Sequence, residues 1–195
     1  MIVGVDLDEV LANFVPCLLN FHNKKYGTDL TREQVHTYDL WKVWGGTIEE
    51  AIRKVREFYQ SDEFRQILPV NGSQEGIDVL REKNELVVIT SRPHDIKEET
   101  RAWLDQYFPG KFLQVYHTND WAPAGSGKRK TEKPDICHNL GAGIFIEDNI
   151  EYAIACAEKG VRAFLLDCPW NQADSLPERV TRVKSWRELI EKLSV

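Results

Sequence analysis

Apolar residues fall on this chain in two alternating rhythms. Short apolar runs appear at the β-branched Ile2, Val3 and Val5, then at 85–90, 112–116, 143–146 and 162–166. Continuous apolar runs of that length read as strands buried on both faces of a parallel sheet. Between them the spacing stretches to three and four, as at Ile77 and Leu80 within residues 73–83. Helices are predicted there and over 95–107, 132–140 and 150–159, with Pro109-Gly110, Gly141 and Gly160 as stops. A short edge strand at 180–183 and a helix at 186–193 close the chain. Strands separated by helices predict an α/β fold with a parallel sheet covered on both sides, its first strand central.

One stretch breaks the alternation. Residues 14–68 hold almost no strand-like run. Phe14, Cys17, Leu18, Phe21 and His22 recur at helical intervals before Gly27. A segment at 31–35 opens on Thr-Arg-Glu-Gln, the pattern of a capping box. A further helix runs from Thr47, with Glu49 and Glu50 in its first turn, to Phe58 and Tyr59, and a short one covers 62–67 before Pro69. The pattern predicts a small helical subdomain inserted after strand one. The chain then divides into a core of residues 1–13 and 69–195 and an inserted block of residues 14–68.

Composition narrows the function. The 195 residues carry 31 acidic and 25 basic side chains, a net charge of −6. No basic stripe stands out, which disfavours a protein that grips long nucleic acid. A small phosphorylated substrate remains compatible, because a bound cation inverts the local field. Cys17, Cys137, Cys156 and Cys168 include no C-x-x-C pair, so neither a disulfide framework nor a zinc site is signalled. The chain opens directly on a strand and has no apolar run long enough for a bilayer. The expectation is a soluble, cytoplasmic protein without a signal peptide or membrane association. Its oligomeric state is left open.

The chemistry gathers at strand ends, where open α/β sheets place their ligands. Strand one delivers Asp6 and Asp8. One carboxylate can attack phosphorus, the other can act as general acid, and both offer hard oxygen ligands to Mg²⁺. Taken alone, the pair fits a helix cap and a solvated turn residue equally well. The second strand delivers Thr90 and Ser91, whose hydroxyls can bind a phosphate oxygen beside the next helix's free amides, or simply cap that helix. A later strand delivers Glu147 and Asp148. Acids there, facing Asp6, repel one another unless they share a cation. Lys133 can reach phosphate and nucleophile together, with Lys130 as its competitor. In the inserted block, Trp41 and Trp44 flank Lys42. They can stack on a nucleobase or form the block's own core. The loop from Gly125 to Lys130 either guards the site entrance or is only solvated.

Taken in order, Asp6-Leu-Asp8-Glu-Val, Thr90-Ser91, Lys133-Pro134 and Glu147-Asp148 resemble the four motifs of the haloacid dehalogenase-like (HAD) phosphohydrolase superfamily across nearly the whole chain. The resemblance implies a Rossmann-like core with a cap, and phosphate ester hydrolysis through an aspartyl-phosphate. It implies Asp6 as nucleophile and metal ligand, and Asp8 as general acid that gives its backbone carbonyl to Mg²⁺. Thr90 would bind phosphate, Lys133 would stabilise charge and Asp148 would complete the metal site, with Glu147 behind it. Within the superfamily, the inserted block and the run from Asp6 to Phe14 are similar to those of the 5'(3')-deoxyribonucleotidases, in which the aromatic at the Phe14 position lies near the base. The function implied is a Mg²⁺-dependent nucleotidase acting on nucleoside monophosphates. A phosphatase for a sugar phosphate, and a non-catalytic phospho-ligand-binding protein on the same fold, are the alternatives.

Overall fold

The computed structural model describes residues 1–119 and 132–193. Among the described residues the strands form a six-stranded sheet in the order β3-β2-β1-β4-β5-β6. Its strands are β1 (Ile2–Val5), β2 (Glu85–Pro93), β3 (Gln114–Asn119), β4 (Ile144–Glu147), β5 (Arg162–Leu166) and β6 (Val180–Val183). All neighbouring pairs are parallel. The first strand is central, as expected, with Val5 level with Val88 on one side and Ile146 on the other.

The strand period of two divides the apolar residues between the faces. Val3, Val5, Leu86, Val88, Ile144 and Ile146 pack into one cluster with residues of α5 (Ser73–Arg81), α6 (Lys97–Tyr107) and α9 (Trp186–Leu193). Val87, Ile89 and Phe145 turn the other way, toward α7 (Lys133–Leu140) and α8 (Ile150–Glu158). The result is a three-layer, Rossmann-like α/β fold. Gly4 eases close packing inside β1, where a Cβ would sit 3.0 Å from the side chains of both Ile89 and Phe145. Gly76 does the same for α5, since its missing side chain leaves room for the Trp186 ring, whose indole N–H donates to the Val10 carbonyl at 2.8 Å.

Between β1 and α5 lie α1 (Phe14–Tyr26), α2 (Leu40–Trp44), α3 (Ile48–Tyr59) and α4 (Asp62–Arg65). Gly27 ends α1 with a φ of 66°. Thr47 caps α3, its hydroxyl accepting from the Glu50 amide at 3.2 Å while Glu50 accepts from the Thr47 amide at 2.8 Å. The chain leaves and re-enters the core side by side. Val70 donates to the Leu11 carbonyl at 2.7 Å, and Asn13 donates to the Leu68 carbonyl at 3.0 Å. Phe14, Phe21, Phe58 and Phe64 join the same cluster as the sheet, so the helical block shares its core with the layer beneath.

Some elements differ from expectation. The 31–35 segment is a single 3₁₀ turn, Arg32–Gln34, because Val35 leaves helical geometry at ψ 88°. The third strand starts at Gln114 and not Phe112, whose ring packs against Phe108, 6.0 Å between centroids. The second strand runs on to Pro93, through a register shift between Thr90 and Pro93. Among the described residues, no helix is long and apolar enough to cross a membrane.

Candidate active site

The carboxyl ends of β1, β2 and β4 open into a cavity of about 280 Å³. Asp6, Asp8, Thr90, Ser91, Lys133 and Asp148 all line it, so the strand-end residues singled out in the sequence meet in one place. The parallel register explains the meeting. Asp6 follows Val5 and donates its amide to the Ile146 carbonyl at 2.9 Å, which sets it beside Glu147.

Lys133, at the first position of α7, reaches the floor of the cavity. Its Nζ lies 2.7 Å from Asp6 Oδ1 and 2.9 Å from Glu147 Oε2. The other Glu147 oxygen accepts from the backbone amides of Asp148 and Asn149, both at 3.0 Å. Lys130, the competitor, and the Gly125–Lys130 loop lie outside the described residues. Trp170 Nε1 donates to Asp148 Oδ2 at 2.8 Å and the Tyr38 hydroxyl reaches the same oxygen at 3.1 Å. Tyr38 also donates to the Asp148 carbonyl at 2.5 Å, and Asn171 Nδ2 does so at 2.7 Å.

The electrostatics are unbalanced. Burial pushes Asp6 well above the usual carboxylate range, the Glu147 charge adds to the push, and Lys133 opposes it. Burial lifts Glu147 to about 7 against the pull of Lys133, and lifts Asp148 to about 7 with help from Asp6. Burial works against charge on Lys133, but Asp6 and Glu147 outweigh it and hold the ammonium. Oxygens of Asp6, Glu147 and Asp148 all lie within 4.8 Å of one another. Three buried carboxylates against one lysine form a set of hard oxygen donors with negative charge to spare, which suits a divalent cation.

Asp8 also lines the cavity and is held by Arg92 of β2. Its Oδ1 accepts from Arg92 Nη2 at 2.6 Å and Nε at 3.1 Å, and its Oδ2 accepts from Nε at 3.1 Å. Thr90 is buried inside β2, not at a helix start as expected, because the strand continues to Pro93 and α6 begins only at Lys97. Its Oγ1 accepts from the Arg92 amide at 3.1 Å, and the Ser91 hydroxyl lies 3.2 Å from that of Thr118.

Phe14 lines the cavity and also meets Phe58 edge-on at 5.3 Å. Trp41 and Trp44 are not on the wall. Trp44 stacks on His22 at 4.5 Å, within the helical block's own packing, and Trp41 lies under the Lys42 ammonium at 5.1 Å. Sequence reasoning gave no role to Glu9, Tyr38, Trp170 or Arg92. Glu9 has a φ of 60°, rare for a side chain of its size, and accepts from the Val15 amide at 2.6 Å and Arg32 Nη2 at 3.1 Å. Trp170 follows the end of β5, so the strand-end rule could have found it. Tyr38 precedes a five-residue helix and carries no periodic signal.

Comparison with known proteins agrees with this geometry. The family model described as "5' nucleotidase, deoxy (Pyrimidine), cytosolic type C protein" matches residues 1–120. Over 190 residues the chain is 28% identical to a provisionally named nucleotidase of Halalkalibacterium halodurans, covering 95% of this chain and 88% of that protein. A haloacid dehalogenase-like family hydrolase from Streptococcus pneumoniae shares the fold with a TM-score of 0.71 at 14% identity, over 98% of this chain and 97% of the other. A HAD-hydrolase from Bacillus subtilis, bound to magnesium in its structure, superposes with a TM-score of 0.66 at 13% identity, over 100% and 98%.

Proposed function

We propose, from the premise that this chain belongs to the 5' nucleotidase, deoxy (Pyrimidine), cytosolic type C family, that it hydrolyses nucleoside monophosphates to nucleoside and phosphate through an aspartyl-phosphate at Asp6. The chain is a hydrolase of phosphoric monoesters with a HAD-like fold. The observation that carries the finer reading is Lys133, whose ammonium bridges Asp6 and Glu147 at the cavity floor. An attacking carboxylate needs to be ionised and aimed; a buried ammonium 2.7 Å away aims it and favours its ionised form against the push of burial.

In this reading Asp6 attacks phosphorus and the ester oxygen departs with a proton from Asp8. Water then attacks the aspartyl-phosphate, gives its proton to Asp8 and releases Asp6. Thr90 and Ser91 offer hydroxyls to the phosphate oxygens, and Lys133 opposes the charge that gathers there. Mg²⁺ is the cation proposed for Asp6, Asp148 and the Asp8 carbonyl, where it would neutralise phosphate charge as a Lewis acid. Glu147 is already engaged by Lys133 and two amides, which supports a place behind the ligands.

The helical block of residues 14–68 acts as the cap over a core of residues 1–13 and 69–195. It supplies Phe14, Leu18, Val35, Tyr38 and Leu40 to the cavity wall. Such an apolar wall opposite acids and hydroxyls suits a nucleoside better than a sugar phosphate; Phe14, as the resemblance implies, and Tyr38 face the base, while Trp41 and Trp44 do not line the cavity. The test is a panel of nucleoside monophosphates and sugar phosphates with Mg²⁺ and with EDTA. Nucleotides should show the highest kcat/KM and EDTA should abolish turnover. A sugar phosphate with the higher kcat/KM would overturn the substrate assignment.

A further inference from the structure

Arg92 is a buried charge that the mechanism leaves unused. Arg92 follows the Thr90-Ser91 pair on β2, and its side chain is 1% exposed, whereas that of Asp8 is 25% exposed. Besides Asp8, the guanidinium meets the Phe64 ring of α4 at 5.0 Å and the Phe14 ring at 6.0 Å, and its Nη1 lies 3.5 Å from Thr100 Oγ1 of α6. A charge in that position is poor as a stabiliser, because desolvation offsets most of the Coulombic gain and an apolar residue of similar volume would pack as well. What it provides is geometry. A planar fork fixes both the position and the plane of a carboxylate.

The fork divides the two oxygens of Asp8. Oδ1 takes two donors, one of them at 2.6 Å, while Oδ2 takes a single donor at 3.1 Å. We propose that Arg92 is a positioning residue for proton transfer: it clamps Asp8 Oδ1 and so presents Oδ2 to the ester oxygen. The inference rests on the role given to Asp8 above. In the first step the Oδ2 proton passes to the departing oxygen as its bond to phosphorus breaks and the Asp6 bond forms. In the second, Oδ2 takes a proton from the attacking water as phosphorus leaves Asp6. Since Arg92 also touches the rings of Phe14 and Phe64, the clamp is referenced to the helical block that covers the substrate.

The experiment measures formation of the phosphoenzyme by rapid quench, using a nucleoside monophosphate and p-nitrophenyl phosphate, with Mg²⁺. The nitrophenolate leaves without a proton, so only the nucleotide depends on how Asp8 is aimed. Arg92→Met should slow formation from the nucleotide on the order of 100-fold and from the aryl ester only a few-fold. In an Asp8→Asn background the same change should add less than about 3-fold. Arg92→Lys, which keeps the charge and stem, should fold with a near-native melting temperature and recover part of the nucleotide rate. If Arg92→Met does not fold, Arg92→Lys carries the same leaving-group contrast at roughly 10-fold. Equal slowing with both substrates, or full additivity with Asp8→Asn, would overturn the positioning role while leaving the proposed function standing. A wild-type enzyme that turns over either ester without a phosphoenzyme would instead overturn the mechanism, and this inference with it.

Discussion

Asp148 shows how a residue is tuned by its neighbours. Trp170 donates to its Oδ2, and Tyr38 and Asn171 donate to its carbonyl. Donors of this kind orient a metal-binding carboxylate, and their loss typically weakens metal affinity 10–100-fold. Trp170→Phe keeps the ring and removes the N–H. Titration calorimetry with Mg²⁺ alone should show affinity lower by about 10-fold or more, with the fold retained by circular dichroism. Unchanged affinity would separate Trp170 from the site. The strand-end acids were legible in the sequence because a buried strand leaves no other place for two carboxylates. Trp170 follows a strand end and was within reach of the same rule, but Tyr38 was not, since its role depends on which loop crosses which strand end, and no local spacing records that.

At the scale of elements, short apolar runs and glycine stops located the strands and most helices, because both signals act within a few residues. Where a long-range contact decides, the ends moved: pairing with β3 carries β2 on to Pro93, and Phe108 draws Phe112 out of β3. The five-residue α2 lacks the length for a periodic signal. Its Trp44 instead belongs to the joint between α1 and α3, stacked on His22. There Lys54 of α3 approaches His22 Nε2 at 3.2 Å, so that nitrogen accepts and Nδ1 donates to Thr28 Oγ1 at 2.8 Å. The ring is therefore neutral, and burial, with Lys54 beside it, lowers its pKa to about 4. A folded pKa below the unfolded value means that the unfolded chain binds the proton more readily. Stability should then fall as pH drops from about 6.5 toward 4, by on the order of 1–3 kcal/mol from this residue. Urea unfolding of wild type and His22→Gln across that window checks it. The variant should lose correspondingly less, and identical pH dependence would contradict the assignment.

For the whole molecule, the parallel sheet and its central first strand were readable from strand–helix alternation alone. How the helical block meets the core was not, because the paired crossings at Leu11–Val70 and Asn13–Leu68 join residues more than fifty positions apart. That arrangement places a crowded acidic floor under an apolar roof, and the crowding has a global consequence. A cation that binds only the folded protein should stabilise it, by about 2.7 kcal/mol at a hundred times its Kd. For a chain of this size that corresponds to a melting-temperature rise of roughly 5–10 °C with Mg²⁺. Differential scanning calorimetry should find the rise in wild type and little of it in Asp148→Asn. An equal rise in both would place the cation elsewhere.

The central claim is that Asp6 becomes phosphorylated. Acid quench during turnover of a nucleoside monophosphate, followed by borohydride reduction, converts an aspartyl-phosphate to homoserine, which peptide mass analysis locates. The account predicts homoserine at position 6, only when substrate and Mg²⁺ are both present, and neither adduct nor turnover in Asp6→Asn. Continued turnover by Asp6→Asn, or an adduct at any other carboxylate, would contradict it.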